Sequence, residues 1–150
     1  MQQNKAFLAV LIGLLSFFIS TQLFAQADVI EKRKELMKSN SAANKALKKA
    51  FAMEDYATVE AKAKVIVENA AMILDLFPKG STGEDSRAKP EIWEKWDEFG
   101  KKVAALNGAA NALANETMTQ DMMKVGPKMK ALGATCGGCH KPFRGPRKKK

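Results

Sequence analysis

The sequence predicts an all-α protein, built as an antiparallel bundle of four helices. Apolar residues recur at alternating steps of three and four, which is the spacing of the buried face of a helix. Loop-forming residues at 53–55, 78–89 and 115–119 divide the chain into four segments, and no hairpin turn lies between alternating β-branched residues. The 150 residues suit one domain with a single core.

The four predicted helices follow one another along the chain. They cover about residues 28–52, 56–77 and 90–113, and the last begins near residue 119. The apolar series of the second is Tyr56, Val59, Ala63, Ile66, Ala70, Ile73 and Phe77, and that of the third is Ile92, Trp96, Phe99, Val103, Leu106, Ala110 and Leu113. Such series are typical of the helix faces that meet inside a bundle.

Three of the helices contain prolines or polar residues that need a separate explanation. Pro90 suits the first turn of the third helix, where Trp93 and Trp96 are expected in the core. In the fourth, Gly126-Pro127 should kink or restart the helix. The first helix keeps the apolar rhythm, but the polar residues Arg33, Asn40 and Asn44 interrupt it. That interruption predicts an inner face that meets something other than hydrocarbon.

The motif Cys136-Gly137-Gly138-Cys139-His140 contains both cysteines and the one histidine of the chain. On a helix the two thiols and the imidazole stand at i, i+3 and i+4, so they project from one face. Cys-x-x-Cys-His is the attachment signature of c-type haem, in which the thiols bond to the porphyrin vinyls and the imidazole binds the iron. We therefore expect one covalent haem c in the bundle core, attached at Cys136 and Cys139 and ligated by His140.

Two cysteines at this spacing have other uses. A zinc site needs more thiolate or imidazole ligands than the chain has, and a thiol redox pair expects a βαβ setting that the helical pattern does not offer. A structural disulfide between Cys136 and Cys139 remains as the alternative to haem attachment.

The N-terminal residues predict export. Lys5 precedes an apolar run over residues 6–19, and Ala25-Gln26-Ala27 is a small-x-small cleavage sequence. We expect residues 1–27 to be a signal peptide cleaved after Ala27, with Ala25 as the second choice, and residues 28–150 to be the haem domain. An uncleaved membrane anchor is the alternative. Because bacteria attach haem to this motif outside the cytoplasmic membrane, the expected location is the periplasm.

The mature chain is basic, with a net charge of about +8 after removal of residues 1–27. Basic residues concentrate just past the haem motif, at Lys141, Arg144, Arg147, Lys148, Lys149 and Lys150. Such a run is usually a solvated tail; the alternative is that it steers an acidic redox partner or contacts an anionic membrane. Nucleic acid is not an expected partner, because the chain is exported and no aromatic residues lie among these basic ones.

Near its end the chain resembles the cytochrome c prime family, whose members are exported four-helix proteins ending in Cys-x-x-Cys-His-x-x-aromatic-Arg. Phe143 and Arg144 complete that ending. Leu76-Phe77-Pro78, Gly80-Ser81 and Lys89-Pro90-Glu91-Ile92-Trp93 are similar to the family's second loop and third-helix entry. The resemblance covers nearly the whole mature chain.

The resemblance implies roles for three further residues. In the family, the residue on the distal side of the haem lies four positions after an Arg, and Met37 stands there after Arg33. This resembles the low-spin, cytochrome c-556 type, in which the Met is the sixth ligand; the high-spin branch has an apolar residue without a donor atom. Arg33 and Arg144 match positions near the haem propionates or the proximal imidazole. Alternatively, Met37 is a core residue, Leu36 occupies the pocket, and the arginines are solvated.

These expectations favour a soluble periplasmic electron carrier with one haem. A thioether opposite imidazole stabilises reduced iron, and a closed coordination sphere suits electron transfer. The alternatives are a high-spin protein that binds or buffers nitric oxide or carbon monoxide, and a bundle without haem. An enzyme is not expected, because a lone histidine on iron leaves no general base of the usual kind. Redox partner proteins are expected, and a homodimer through the first two helices is an alternative to a monomer.

Overall fold

The structure, a computed structural model, describes residues 3–146, with side chains from residue 27 onward. Its helices are α1 (Gln3–Ala52), α2 (Tyr56–Met72), α3 (Glu91–Glu94), α4 (Trp96–Glu116) and α5 (Met122–Phe143). Helices α1, α2, α4 and α5 form an antiparallel four-helix bundle, in which α2 packs on α1 and α4, and α5 packs on α4. The predicted fold class is confirmed. The described residues contain no strand, only an isolated bridge between Ala88 and Arg144.

Parts of both termini lie outside this description. Residues 1 and 2 of the predicted signal peptide are not described, and residues 3–26 are described only as helical backbone. The basic residues 147–150 also lie outside the described residues. Within the described part of the chain, no helix combines the length and apolar character needed to span a membrane.

Aspartate side chains begin two of the bundle helices. Asp55 accepts a hydrogen bond from the Thr58 amide at 2.9 Å, and Asp121 accepts one from the Met123 amide at 2.8 Å. Each bond satisfies an amide that has no partner inside the first turn of its helix. The short connections predicted before the second and fourth helices are therefore present, and each ends at an aspartate cap.

The third and fourth helices differ from the prediction in their continuity. The third is divided at Lys95, whose backbone leaves the helical region (φ −122°, ψ 47°). The sequence predicts a kink or a restart of the fourth helix at Gly126-Pro127. The restart is wrong, because α5 runs unbroken from Met122 to Phe143. Pro127 lies early in α5, where the missing N–H removes one hydrogen bond near the helix end and leaves the later turns intact.

Two hydrophobic clusters fill the bundle, one toward each end. The remote core consists of Ala43, Leu47, Ala50, Val59, Ala63, Ile66, Ala110, Leu113, Ala114, Val125 and Leu132. The motif core consists of Leu36, Ala70, Ile73, Phe77, Ile92, Phe99, Val103 and Phe143. Alanine and medium aliphatic residues make up the remote core, so the helices pack there without a large occupant. The motif core instead contains three phenylalanines.

We expect Leu113→Ala to lower the free energy of unfolding by about 2–5 kcal/mol, because Leu113 is fully buried in the remote core and its truncation leaves a cavity. Denaturant unfolding followed by circular dichroism measures this change. Met123→Ala is the control, since Met123 is 83% exposed and its loss should change the free energy by no more than about 0.5 kcal/mol. Equal effects of the two substitutions would contradict the assignment of the remote core.

Candidate haem site

The Cys-x-x-Cys-His motif lies on the last turns of α5. The side chains of Cys136, Cys139 and His140 are all half-buried, and no disulfide joins the two cysteines. The Cys136 sulfur lies 3.7 Å from the carbonyl oxygen of Leu132, one turn back. The helix ends where the amide of Arg144 donates to the carbonyl of His140 at 3.0 Å. The motif is therefore held on regular helix, as its spacing predicts.

The surroundings of the motif shift the pKa values of two of its side chains. Burial lowers the pKa of His140, and the positive charges of Arg144 and Arg87 lower it further. Burial raises the pKa of the Cys139 thiol, and the charge of Lys102 partly offsets this effect. A neutral imidazole is the form that binds a metal, so the environment favours the ligand form of His140.

Met37 faces the same cluster of side chains from α1. Both Met37 and Cys139 are partly buried and pack against the motif core. Leu36, the neighbour considered for the same role, is itself buried in that core with 7% of its surface exposed. The structure thus brings a thioether from the first helix and a thiol from the last helix to one apolar cluster.

Aromatic rings form the centre of this cluster. The ring of Phe99 lies 4.9 Å from that of Phe77 and 5.4 Å from that of Phe143, measured between centroids. Trp93 packs against the cluster and donates from Nε1 to the carbonyls of Phe77 and Pro78. Trp96 is 39% exposed and lies at the edge, so the expectation that it belongs to the core is wrong. The break at Lys95 separates the two tryptophans into different helices, which explains their different environments.

The two arginines assigned by resemblance lie in different surroundings. Arg33 is 6% exposed, and its guanidinium lies 3.9 Å above the ring of Phe77 and donates to loop oxygens between α2 and α3. Burial lowers the pKa of Arg33 to about 10, which leaves it charged at neutral pH. Arg144 is exposed and follows the last residue of α5. Arg33 therefore belongs to the edge of the motif core, and Arg144 to the surface beside His140.

Two of the three polar residues that interrupt the inner face of α1, Arg33 and Asn40, have hydrogen-bond partners within the protein. Asn69 of α2 donates from Nδ2 to Ser39 Oγ and Asn40 Oδ1, both at 2.9 Å. The hydrogen bond to Asn40 and the loop contacts of Arg33 therefore account for two of the interruptions, and neither involves a cofactor. Asn69 was not predicted, although an asparagine beside Ala70 on an apolar helix face is a sequence signal for a buried polar contact.

The donors around the motif core fit a c-type haem. Two thiols and an imidazole lie on α5, and the Met37 thioether of α1 packs against the same cluster of aromatic and aliphatic side chains as Cys139, which suits a flat apolar macrocycle. Within the described residues, no three His, Cys, Asp or Glu side chains are placed to hold a metal ion by themselves. The arrangement therefore fits an iron porphyrin better than a zinc site.

A four-helix bundle with this motif on its last helix defines a class of protein, the bundle-type c cytochromes. Residues 28–144 match the family model described as Cytochrome C'. The chain belongs to the cytochrome c' family, whose members bind one covalently attached haem c, and its cofactor is one haem c.

The relatives of this chain include proteins named cytochrome c-556 and proteins named cytochrome c'. The chain is 42% identical over 123 residues to cytochrome c-556 of Agrobacterium fabrum, covering 79% of this chain and 82% of the relative. It is 33% identical over 120 residues to cytochrome c' of Pararhodospirillum photometricum, covering 77% of this chain and 94% of the relative. A solved cytochrome c' with ligand-controlled dimer dissociation is similar in fold, with a TM-score of 0.74, 28% identity, and coverage of 81% of this chain and 97% of that one.

The mass of the denatured mature protein should equal that of the polypeptide plus one haem, because Cys136 and Cys139 each form a thioether bond. Acid–acetone should fail to extract the haem. Replacing both cysteines with Ala should leave little folded protein, since the site is then without its attached cofactor. A polypeptide mass reduced by two protons would show a disulfide instead and contradict haem attachment at these residues.

Proposed function

We propose that the protein is a periplasmic electron carrier whose haem iron is ligated by His140 and Met37. When bound, the haem supplies an iron that cycles between the ferric and ferrous states. The observation that carries the proposal is the placement of Met37 on α1 against the same apolar core as Cys139 on α5. With the haem bound, Met37 would hold the iron together with His140 and complete its set of ligands.

Each proposed site residue has a separate task. Cys136 and Cys139 hold the haem to α5, and His140 presents a neutral imidazole, the form that its buried position favours. Met37 supplies a soft, neutral donor that stabilises reduced iron. Arg144 lies close enough to His140 for its charge to depress the imidazole pKa, and the same charge favours the less positive, ferrous state. Arg33 lies at the edge of the site beside Phe77.

We further infer that residues 1–27 are a cleaved signal peptide, with Ala27 at the cleavage site, and that residues 28–150 form the exported domain. The family match begins at residue 28, which supports this division. Sequencing the N-terminus of protein recovered from the periplasm tests it. An uncleaved N-terminus in the membrane fraction would support the anchor instead.

A second candidate function is the binding of a gas such as nitric oxide or carbon monoxide at an open distal site. The observation that favours it is the similarity to a cytochrome c' with ligand-controlled dimer dissociation. This function requires a high-spin iron without a methionine ligand. The two candidates therefore differ in what Met37 does.

In Met37→Ala the ferric protein should become high-spin or bind water, the near-infrared sulfur-to-iron band should disappear, and the reduction potential should fall, because the soft donor is lost. The ferrous variant should bind carbon monoxide readily at the open sixth position. Absorption spectra of both oxidation states and a redox titration measure these changes.

Leu36→Ala is the matched control for Met37→Ala. Leu36 is adjacent and buried in the motif core, so its truncation should lower stability and leave the sulfur-to-iron band in place. If the unmodified protein is already high-spin and binds carbon monoxide, Met37 is a core residue and gas binding becomes the better proposal.

We propose an acidic redox protein as the partner. Arg87, Lys102 and Arg144 lie close enough to shift the pKa of His140 or Cys139, so the surface beside the haem motif is positive. A positive surface accelerates association with an acidic protein. The same charge suits contact with an anionic membrane, and the similarity to a dimeric cytochrome c' supports a homodimer as well.

Replacing Lys148, Lys149 and Lys150 with Gln should slow association with an acidic partner at low salt and flatten its dependence on ionic strength. The reduction potential should barely change. The matched control replaces Lys45, Lys48 and Lys49, which are exposed on α1 beside the remote core, and removes the same charge. Stopped-flow kinetics that show equal slowing in both variants, or none, would contradict steering by the tail.

A further inference from the structure

The loop formed by residues 78–90, between the 3-10 turn that follows α2 and the start of α3, is held from two sides. On one side it receives the buried guanidinium of Arg33 from α1. On the other side its last residues bond to the end of α5. The loop therefore connects the helix that carries Met37 with the helix that carries His140.

Arg33 uses its whole guanidinium in contacts with this loop and with Leu76, in the turn just before it. Nε donates to the Leu76 carbonyl at 3.0 Å. One terminal nitrogen donates to the Ser81 carbonyl at 3.3 Å and to Ser86 Oγ at 3.2 Å. The other donates to the Ser81 carbonyl at 3.3 Å and to Ser81 Oγ at 2.7 Å. A guanidinium has five N–H groups, so each of them has an acceptor, and none of these acceptors is a carboxylate.

Backbone and side-chain bonds join the other end of the loop to α5. The amide of Lys89 donates to the Phe143 carbonyl at 3.1 Å, and the amide of Gly145 donates to the Arg87 carbonyl at 2.8 Å. The side chain of Arg87 donates to the Gly145 carbonyl at 2.7 Å, and that of Lys89 donates to the Pro142 carbonyl at 2.9 Å. These bonds lie two to five residues after His140.

Aromatic contacts run parallel to the loop. The Arg33 guanidinium lies over Phe77, Phe77 packs on Phe99, and Phe99 meets Phe143 edge to face. Two routes therefore connect Arg33 with the last turn of α5, one through hydrogen bonds and one through packed rings. Both are contiguous physical contacts of the kind that can hold two elements in register.

We propose that Arg33 is a positioning residue which, through loop 78–90, holds α1 so that Met37, one helical turn further on, faces the iron bound by His140. The proposal rests on the proposed function and deepens it. Every N–H of Arg33 has an acceptor in the loop or in the turn just before it, so the guanidinium ties α1 to this segment. It acts on the sixth ligand by fixing the place of α1.

The test compares Ser81→Ala with Ser39→Ala. Ser81→Ala removes the shortest acceptor of Arg33, whereas Ser39→Ala removes a hydroxyl contact of α1 that involves Asn69 and not Arg33. In Ser81→Ala, carbon monoxide should associate with the ferrous protein about tenfold faster, since loss of a hydrogen bond to a charged group favours the state with Met37 displaced. Ser39→Ala should stay near the unmodified rate.

Hydrogen exchange followed by mass spectrometry supplies a readout that is independent of the iron. Amides of loop 78–90 and of the α1 turns around Arg33 should exchange faster in Ser81→Ala and not in Ser39→Ala. Arg33→Lys, which keeps the charge but loses the planar fork, should show both effects more strongly. If Arg33→Lys does not fold, the comparison of Ser81→Ala, a milder substitution, with Ser39→Ala still tests the positioning role of Arg33.

The outcomes separate this inference from the proposed function. An unmodified protein without the sulfur-to-iron band refutes methionine ligation, and the carbon monoxide rates then show whether Arg33 still holds α1 over the distal face. Equal rates in Ser81→Ala and Ser39→Ala overturn the positioning role, whether or not the band is present. Faster exchange in the loop without faster carbon monoxide binding also overturns it, because the contact then holds only the loop.

Discussion

Covalent attachment is the constraint on which the rest of the structure depends. Two thiols and an imidazole lie within five residues of α5, so attachment there would commit that helix to one flat cofactor and require the other helices to be placed around it. The sixth ligand that we propose on α1 requires two helices from opposite ends of the chain to keep a fixed distance. Phe99 of α4 lies between Phe77 and Phe143 and fills space beside that site with rings. The motif end of the bundle is therefore suited to a group that is not part of the polypeptide.

The division into two cores follows from this constraint. Helices that meet only each other can approach closely through small side chains, as they do around Ala63 and Ala110, which are fully buried. Where a macrocycle must fit, the helices are joined by larger side chains, a broken third helix and a long loop. The remote core consists of contacts among the helices alone, while the motif core carries the contacts to thiol and thioether. Substitutions confined to the remote core should thus change stability and leave the proposed iron ligands in place.

The parts of the structure that could be predicted from sequence are those governed by local spacing. Helix periodicity depends on residues three and four apart, and the face shared by Cys136, Cys139 and His140 follows from the same geometry. The partners of Arg33 lie 43 to 53 residues away along the chain, so no local pattern reveals them. The break at Lys95 and the continuity of α5 past Pro127 also depend on tertiary packing that outweighs helix propensity. Ser86 gave no signal at all, since serine in a loop is ordinary.

Arg33 shows why a polar residue on an inner helix face supports two different interpretations. In the sequence, Arg33 suggests a cofactor, because burying a charge among apolar side chains without a polar partner is costly. In the fold, loop carbonyls and hydroxyls surround it, and the charge is satisfied without a counter-ion. A buried cation held only by neutral acceptors requires those acceptors to stay in place, since the loss of one leaves a charge partly unsolvated. The loop that supplies them also bonds to the end of α5. The burial of one arginine therefore makes the position of α1 depend on that of α5, which is what the proposed ligation of one iron from two helices requires.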